Sequence, residues 1–248
     1  MRLDGKIALV TGAGSGFGEG IAEAYVGAGA RVAVVDIDAE AAERVAGRLG
    51  EGAMAIAADV ARDADAERMI AATVDRFGGL DILVNNAGTA HRNKSLLEVE
   101  EDEFDRIFAV NVKALYLAAR HGVPHLEARG GGVILTTAST AGLRPRPGLT
   151  WYNASKGAAI TASKSMAVEL APRNIRCNAL CPVIGETGMT GLFLGEDTPE
   201  RRAQFAATVP LGRFSTPRDI ASAALFLATD DASFLTGLAM EVDGGRCV

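Results

Sequence analysis

Eight residues near the N-terminus, Thr11-Gly12-Ala13-Gly14-Ser15-Gly16-Phe17-Gly18, constrain this chain more than any other stretch. They follow a short apolar run, Ile7-Ala8-Leu9-Val10, and precede an Ala-rich helical segment from Glu19 to Ala28. A glycine-rich turn between a strand and a helix lets the backbone bend sharply and approach an anionic group closely. The helix N-terminus then supplies amide donors and a favourable dipole.

The rest of the chain repeats the strand–helix alternation. Strands are expected at Arg31–Asp36, Ala53–Ala58, Asp81–Asn85, Val133–Thr137, Ile175–Leu180 and Ala239–Asp243. Helices are expected over Ala39–Leu49, Asp63–Phe77, Glu100–Glu127, the segment from Trp151 to Ala171, and Pro217–Ala228. Pro124 is expected to bend or end the long helix that contains it, and Pro182 to stop the sixth strand. Such alternation predicts an α/β fold of the doubly wound, Rossmann type, with a parallel sheet covered on both faces. The stretch 185–210 lacks a strand signal and reads as a mobile helical excursion over a substrate. With 248 residues, 48% of them hydrophobic, and no repeat or linker, one domain spanning 1–248 is expected.

Charge and cysteine content narrow the function. A net charge of −6 disfavours nucleic acid and anionic membranes as partners. Three cysteines, Cys177, Cys181 and Cys247, make neither a disulfide framework nor a zinc-type spacing, so no metal is expected. The first residues enter a strand-like run directly, so a signal peptide is not expected and a reducing cytoplasm is.

Asp36 ends the second strand, 18 residues after Gly18. An acid there can bind both adenosine ribose hydroxyls and would repel a ribose 2′-phosphate. Ser15 and Ile37 supply no offsetting cation, so NAD is expected over NADP. Asn85-Asn86-Ala87-Gly88 closes the fourth strand, where ligands bind in open parallel sheets. Farther on, Tyr152 and Lys156 stand four residues apart, on one face of a helix. An ammonium beside a phenol favours phenolate. A Tyr of ordinary pKa near 10 needs a drop of roughly 3 units, about 4 kcal/mol, to act as a base near neutrality. Asn111 sits in mid-helix, where Asn has poor propensity, in register with an apolar stripe. Ser139 lies just past the fifth strand.

Together these motifs resemble the short-chain dehydrogenase/reductase family over essentially the whole chain. The resemblance implies a seven-stranded parallel sheet, a nicotinamide cofactor, an alcohol or carbonyl substrate and a homotetramer. By resemblance, Tyr152 is the acid/base, Lys156 holds the nicotinamide ribose and lowers the Tyr pKa, Ser139 holds the substrate oxygen, and Asn111 anchors a water. The cofactor set it implies is Gly12, Ser15, Gly16, Phe17, Gly18, Asp36, Ile37, Asp59, Val60, Asn86, Ala87, Gly88, Tyr152, Lys156, Pro182, Ile184 and Thr187. One departure stands out: the family commonly has Pro-Gly where this chain has Pro182-Val183. An enoyl reductase of the family would carry its Tyr and Lys farther apart.

Within the family, the stretches 87–94, 148–152, 184–187 and 210–214 are similar to the 4-formylbenzenesulfonate dehydrogenase subgroup, which oxidises an aromatic aldehyde bearing an anion. Similarity also extends to 3-oxoacyl-acyl-carrier-protein reductases and glucose 1-dehydrogenases. His91, Arg92, Arg144 and Arg146 lie in loops past strand ends, where they could bind an anionic group or simply be solvated. Trp151, Met189 and Phe193 are candidate apolar walls for the substrate, Met189 and Phe193 within a lid that could equally make oligomer contacts. An NAD-sensing module without catalysis is the alternative of another class, and the presence of Ser139, Tyr152 and Lys156 disfavours it.

Overall fold

The computed structural model describes residues 1–248. Seven strands form one parallel sheet: β1 (Ile7–Thr11), β2 (Arg31–Asp36), β3 (Ala53–Ala57), β4 (Ile82–Asn85), β5 (Gly132–Thr137), β6 (Ile175–Pro182) and β7 (Ala239–Val242). Their order is β3-β2-β1-β4-β5-β6-β7. Side chains alternate across each strand, and both faces are covered. Ala8, Val10, Val32 and Val34 join one core, whereas Leu9, Ala33 and Val35 join the other. This double burial is why the strands read as unbroken apolar runs.

The first core is closed by α1 (Gly16–Gly27), α2 (Ala39–Leu49) and α9 (Pro217–Ala228). Tyr25 is fully buried there, and its hydroxyl donates to the Ala224 carbonyl at 3.1 Å, tying α1 to α9. Opposite lie α3 (Asp63–Phe77), α5 (Ala114–Ala128) and α6 (Thr150–Leu170), which contribute Met69, Ile70, Leu117, Leu126, Ala167 and Leu170.

Two departures from the sequence reading concern the long helix. It is not continuous: α4 (Glu101–Phe108) and α5 are joined by a π-helical turn over Ala109–Lys113. Asn111 lies in that turn, with its amide engaged across to neighbouring elements rather than along the helix. Pro124 does not end α5, which runs on to Ala128. One missing amide donor is offset by the burial of Leu126 beyond it.

The segment between β6 and α9 carries α7 (Thr190–Leu194) and α8 (Pro199–Ala206). Leu194, Phe205, Val209 and Phe214 pack there with Val183 and Ile184 in a small separate core. Val183, in place of the family's glycine, is buried in that core, so the loop after β6 is pinned rather than loosened.

The chain runs outward from β1 to β3, then crosses back to β4. The order therefore reverses between β1 and β4, and a crevice opens at their carboxyl ends. The glycine turn and the Asn85–Gly88 stretch are the two loops that meet there.

Candidate active site

A cavity of about 660 Å³ occupies this crevice and extends past β5 and β6 to α7 and α8. Its floor is built by close backbone approach. A Cβ on Gly12 would lie 2.8 Å from the Ala87 Cα, and one on Gly18 would lie 2.1 Å from the Gly12 carbonyl oxygen. Gly12 and Gly16 take φ of +62° and +57°, which favour glycine. Asn86 locks the turn: its amide donates to the Thr11 and Gly12 carbonyls at 2.9 and 3.1 Å. It also accepts from the Thr137 hydroxyl at 3.1 Å, so β1, β4 and β5 are joined at their ends.

The N-terminus of α1 has no side-chain cap from Ser15, which leaves its first-turn amides without a side-chain acceptor. Asp36 accepts from the Gly14 amide at 2.8 Å and the Asp38 amide at 3.0 Å. These features fit a dinucleotide: uncapped donors for the pyrophosphate, a carboxylate for the ribose, and glycines where a Cβ would fill the cradle. The sequence reading missed Arg44, which reaches over from α2 to donate to the Gly14 carbonyl at 2.9 Å.

Of the expected cofactor set, all but Gly18 line the cavity. Gly18 acts from behind, by letting α1 seat against Gly12. Asp59 accepts from the Ala61 amide at 2.9 Å, and Thr187 reaches the cavity despite the Pro182-Val183 departure.

Ser139, Tyr152 and Lys156 line the same cavity. Tyr152 and Lys156 project from α6, and Ser139 caps the short turn after β5, its hydroxyl accepting from the Ala141 amide at 3.1 Å. The Lys156 ammonium donates to the Thr137 carbonyl at 2.8 Å and lies 5.9 Å from the Tyr152 ring centroid. Burial pushes the Lys156 ammonium down to about 8. Burial also pushes the Tyr152 phenol up to about 12, against the opposing pull of Ser139 and Arg146. The protein without cofactor thus holds the phenol above its ordinary value. Desolvation favours the neutral form of both groups.

Asn111 is buried but does not line the cavity. Its amide donates to the Thr89 carbonyl and the Ser155 hydroxyl, and its oxygen accepts from the Thr89 amide. A Cβ on Gly88 would lie 3.3 Å from the Lys156 Nζ and 3.4 Å from the Asn111 oxygen, so a larger residue would press on this junction.

Substrate-side expectations divide. Arg144, Arg146, Met189 and Phe193 line the cavity, the Phe193 ring 5.1 Å from that of Tyr152. His91, Arg92 and Trp151 do not. His91 is buried, with Nδ1 donating to the Arg92 carbonyl at 2.8 Å, since a carbonyl can only accept. Arg92 makes two bonds to the Gly195 carbonyl, at 2.9 and 2.6 Å, and so ties the loop after β4 to the end of α7. Trp151 turns to the far side of α6, against Phe104, and donates to the Leu96 carbonyl. Loop position alone could not distinguish a guanidinium aimed inward from one holding a neighbouring carbonyl. The sequence reading also missed Arg246 and Phe205, which are distant in sequence but line this end.

Glu241, Asp243 and Cys247 bring ligand-type atoms within 4.8 Å of one another, with both Asp243 oxygens accepting backbone amides. No helix is long and apolar enough to cross a membrane.

Comparison with known proteins accords with this geometry. A family model described as enoyl-(acyl carrier protein) reductase matches residues 12–246. The chain is 51% identical to 4-formylbenzenesulfonate dehydrogenase of Comamonas testosteroni, over 99% of each chain. It is 40% identical to 2-(R)-hydroxypropyl-CoM dehydrogenase of Xanthobacter autotrophicus, over 96% of this chain and 97% of that one. Among solved structures, it superposes with a TM-score of 0.94 on 3-ketoacyl-(acyl-carrier-protein) reductase of Brucella melitensis complexed with NADH, at 47% identity over 99% of each chain. With the phosphate turn, the Tyr–Lys helix and the seven-stranded sheet in one chain, the protein belongs to the short-chain dehydrogenase/reductase family.

Proposed function

We propose that this protein is an NAD-dependent oxidoreductase that interconverts an alcohol and its carbonyl compound, with Tyr152 as the acid/base. The observation that carries this is the convergence of Ser139, Tyr152 and Lys156 on one cavity with the glycine turn and Asp36. When bound, the nicotinamide supplies the hydride acceptor or donor and, in its oxidised form, a positive charge.

In oxidation the Tyr152 Oη takes the hydroxyl proton of the alcohol, and in reduction it returns a proton to the carbonyl oxygen. The Ser139 hydroxyl donates to that same oxygen and holds it at the phenol. Lys156 holds the cofactor's ribose hydroxyls and biases Tyr152 toward phenolate. Burial holds the phenol at about 12 in the protein without cofactor, so oxidation depends on positive charge gathered at the phenol when the oxidised nicotinamide is bound. Asn111 positions rather than reacts, because its amide is already committed to Thr89 and Ser155. Phe193 and Met189, from the α7 segment, exclude water from the reacting end.

Asp36 supports the choice of NAD, since its carboxylate opposes a 2′-phosphate and the nearby Arg44 is committed to the Gly14 carbonyl. An aromatic aldehyde or alcohol is the favoured substrate, by analogy with the dehydrogenase of Comamonas testosteroni. A 3-oxoacyl thioester is the second reading, favoured by the likeness to the Brucella melitensis structure. A homotetramer, expected from the family, is checked by light scattering in solution.

The test is a panel of aromatic aldehydes, sugars and oxoacyl thioesters, with their alcohols, followed by the absorbance of the reduced cofactor. Turnover of an aromatic pair with NAD, lost by at least about 100-fold in Tyr152→Phe while NADH still binds, is the expected result. Full turnover in Tyr152→Phe overturns the mechanism.

A further inference from the structure

The substrate end of the cavity is basic and carries no acid. Arg106, Arg144, Arg146 and Arg246 line the cavity, and its only carboxylates are Asp36 and Asp59. Asp36 ends β2 and Asp59 follows β3, on the opposite side of β1 from the strands that carry Ser139 and the C-terminal turn.

Arg146 and Arg246 are the unusual pair. Eleven ion pairs form elsewhere in the protein, and neither residue takes part in one. The Arg146 guanidinium sits 4.6 Å from the centroid of the Phe205 ring, and its backbone carbonyl is fixed by the Asn153 amide at 2.8 Å. Its titratable neighbours are Arg246, whose charge opposes its own, and the Tyr152 phenol. Burial together with Arg246 pushes it down to about 10. A half-buried guanidinium without an acceptor, facing a second cation, is destabilising unless an anion comes between them.

Arg246 is held in place by fixed backbone. Asp243 accepts from the Gly245 and Cys247 amides at 2.9 and 2.8 Å, and Arg144 donates to the Arg246 carbonyl at 2.5 Å. Arg144 is thus a positioning residue that brings the C-terminal turn to the cavity.

We propose that Arg146 and Arg246 form an anion subsite for a carboxylate or sulfonate carried on the substrate, away from its reacting carbon. The subsite rests on the oxidoreductase reading for its role in turnover, though not for its ability to bind. An oxyanion with two or three acceptor oxygens suits two guanidinium forks, and the Phe193 and Phe205 rings flank the apolar part that links anion to carbonyl. The anion then orients the carbonyl toward Tyr152 and Ser139.

The test compares para-formylbenzoate, para-tolualdehyde and para-trimethylammonio-benzaldehyde in NADH-dependent reduction, with calorimetric binding of para-formylbenzoate in parallel. In the wild type, kcat/KM for the anion exceeds that for the neutral aldehyde by at least about tenfold, and Arg146→Gln and Arg246→Gln each lower that ratio by about tenfold or more, mainly through KM. Arg146→Lys keeps part of the preference, and Arg146→Glu shifts it toward the cationic aldehyde, which a structural role would not do. A ratio unmoved by all four variants, or a loss of NADH affinity equal to the loss of turnover, overturns the subsite. Failure of para-formylbenzoate to bind the wild type also overturns it. Binding without reduction of any aldehyde leaves the subsite standing and counts against the oxidoreductase reading for this substrate class.

Discussion

The Asn111 amide donates to the Ser155 hydroxyl at 3.0 Å, and that hydroxyl donates in turn to the Tyr152 carbonyl at 2.7 Å. The π-helical turn is thereby bonded to the first turn of the helix that presents Tyr152 and Lys156. Asn111→Ala removes three hydrogen bonds, the one to Ser155 buried, and leaves both Thr89 backbone groups without their side-chain partner. A loss of about 1–3 kcal/mol in stability is expected, read by urea unfolding, with kcat lowered at least about tenfold and the NADH Kd nearly unchanged. Wild-type kcat in this variant would show that α6 needs no such anchor.

Lys156 has a pH signature in stability. Its native pKa of about 8 lies below the ordinary 10.5. Between those values the unfolded chain binds the proton and the native protein does not, so stability rises with pH, by up to about 1.4 kcal/mol per unit. Tyr152, raised to about 12, has the opposite effect above its ordinary value of 10. Without cofactor, the wild type is therefore expected to gain stability relative to Lys156→Met between pH 8 and 10. The measurement is unfolding free energy across that range, and a constant difference would falsify the shift.

Asp36→Ala removes the carboxylate and leaves Arg44 beside the Gly14 carbonyl. The ratio of kcat/KM for NADP to that for NAD is expected to rise by about tenfold or more, at least about 1.4 kcal/mol. The KM for NAD should rise as well, because the Gly14 amide loses its acceptor. Equal use of both cofactors by the wild type would remove the role given to Asp36.

Two glycines in helices should respond oppositely to alanine. A Cβ at Gly18 would lie 2.1 Å from the Gly12 carbonyl and 2.4 Å from the Asn86 amide, so α1 must shift away from the turn. Gly18→Ala is expected to destabilise by about 2 kcal/mol or more and to weaken NADH binding. At Gly47, inside α2, nothing lies within 4 Å of the added Cβ. Gly47→Ala is expected to stabilise by about 0.5–1 kcal/mol. Thermal melts of the two variants decide both.

Much of this architecture was legible because both sheet faces are buried. Val32, Val34 and Val35 had to be apolar whichever core they met, so the strand was plain without knowing its partners. The break at Asn111 was not plain, because the π turn is stabilised by Thr89 and Ser155, residues distant in the chain. The same holds for Pro124, whose tolerance depends on what the helix buries beyond it. Among the basic loop residues, Arg92 and Arg146 looked alike in sequence. One is bonded to Gly195 and the other stacks on Phe205 inside the cavity.

Local pattern by itself determined the phosphate turn, the acid after β2, the Tyr–Lys spacing and the alternation that builds a parallel sheet. Each depends on steric or periodic rules acting over a few residues. Only the tertiary structure decided which arginines line the cavity, that Asn111 is bonded to α6, and that burial raises the Tyr152 phenol. Those depend on burial and on partners brought together from β4, α6, α8 and the C-terminal turn. Desolvation and hydrogen-bond direction exist only once those surfaces have met.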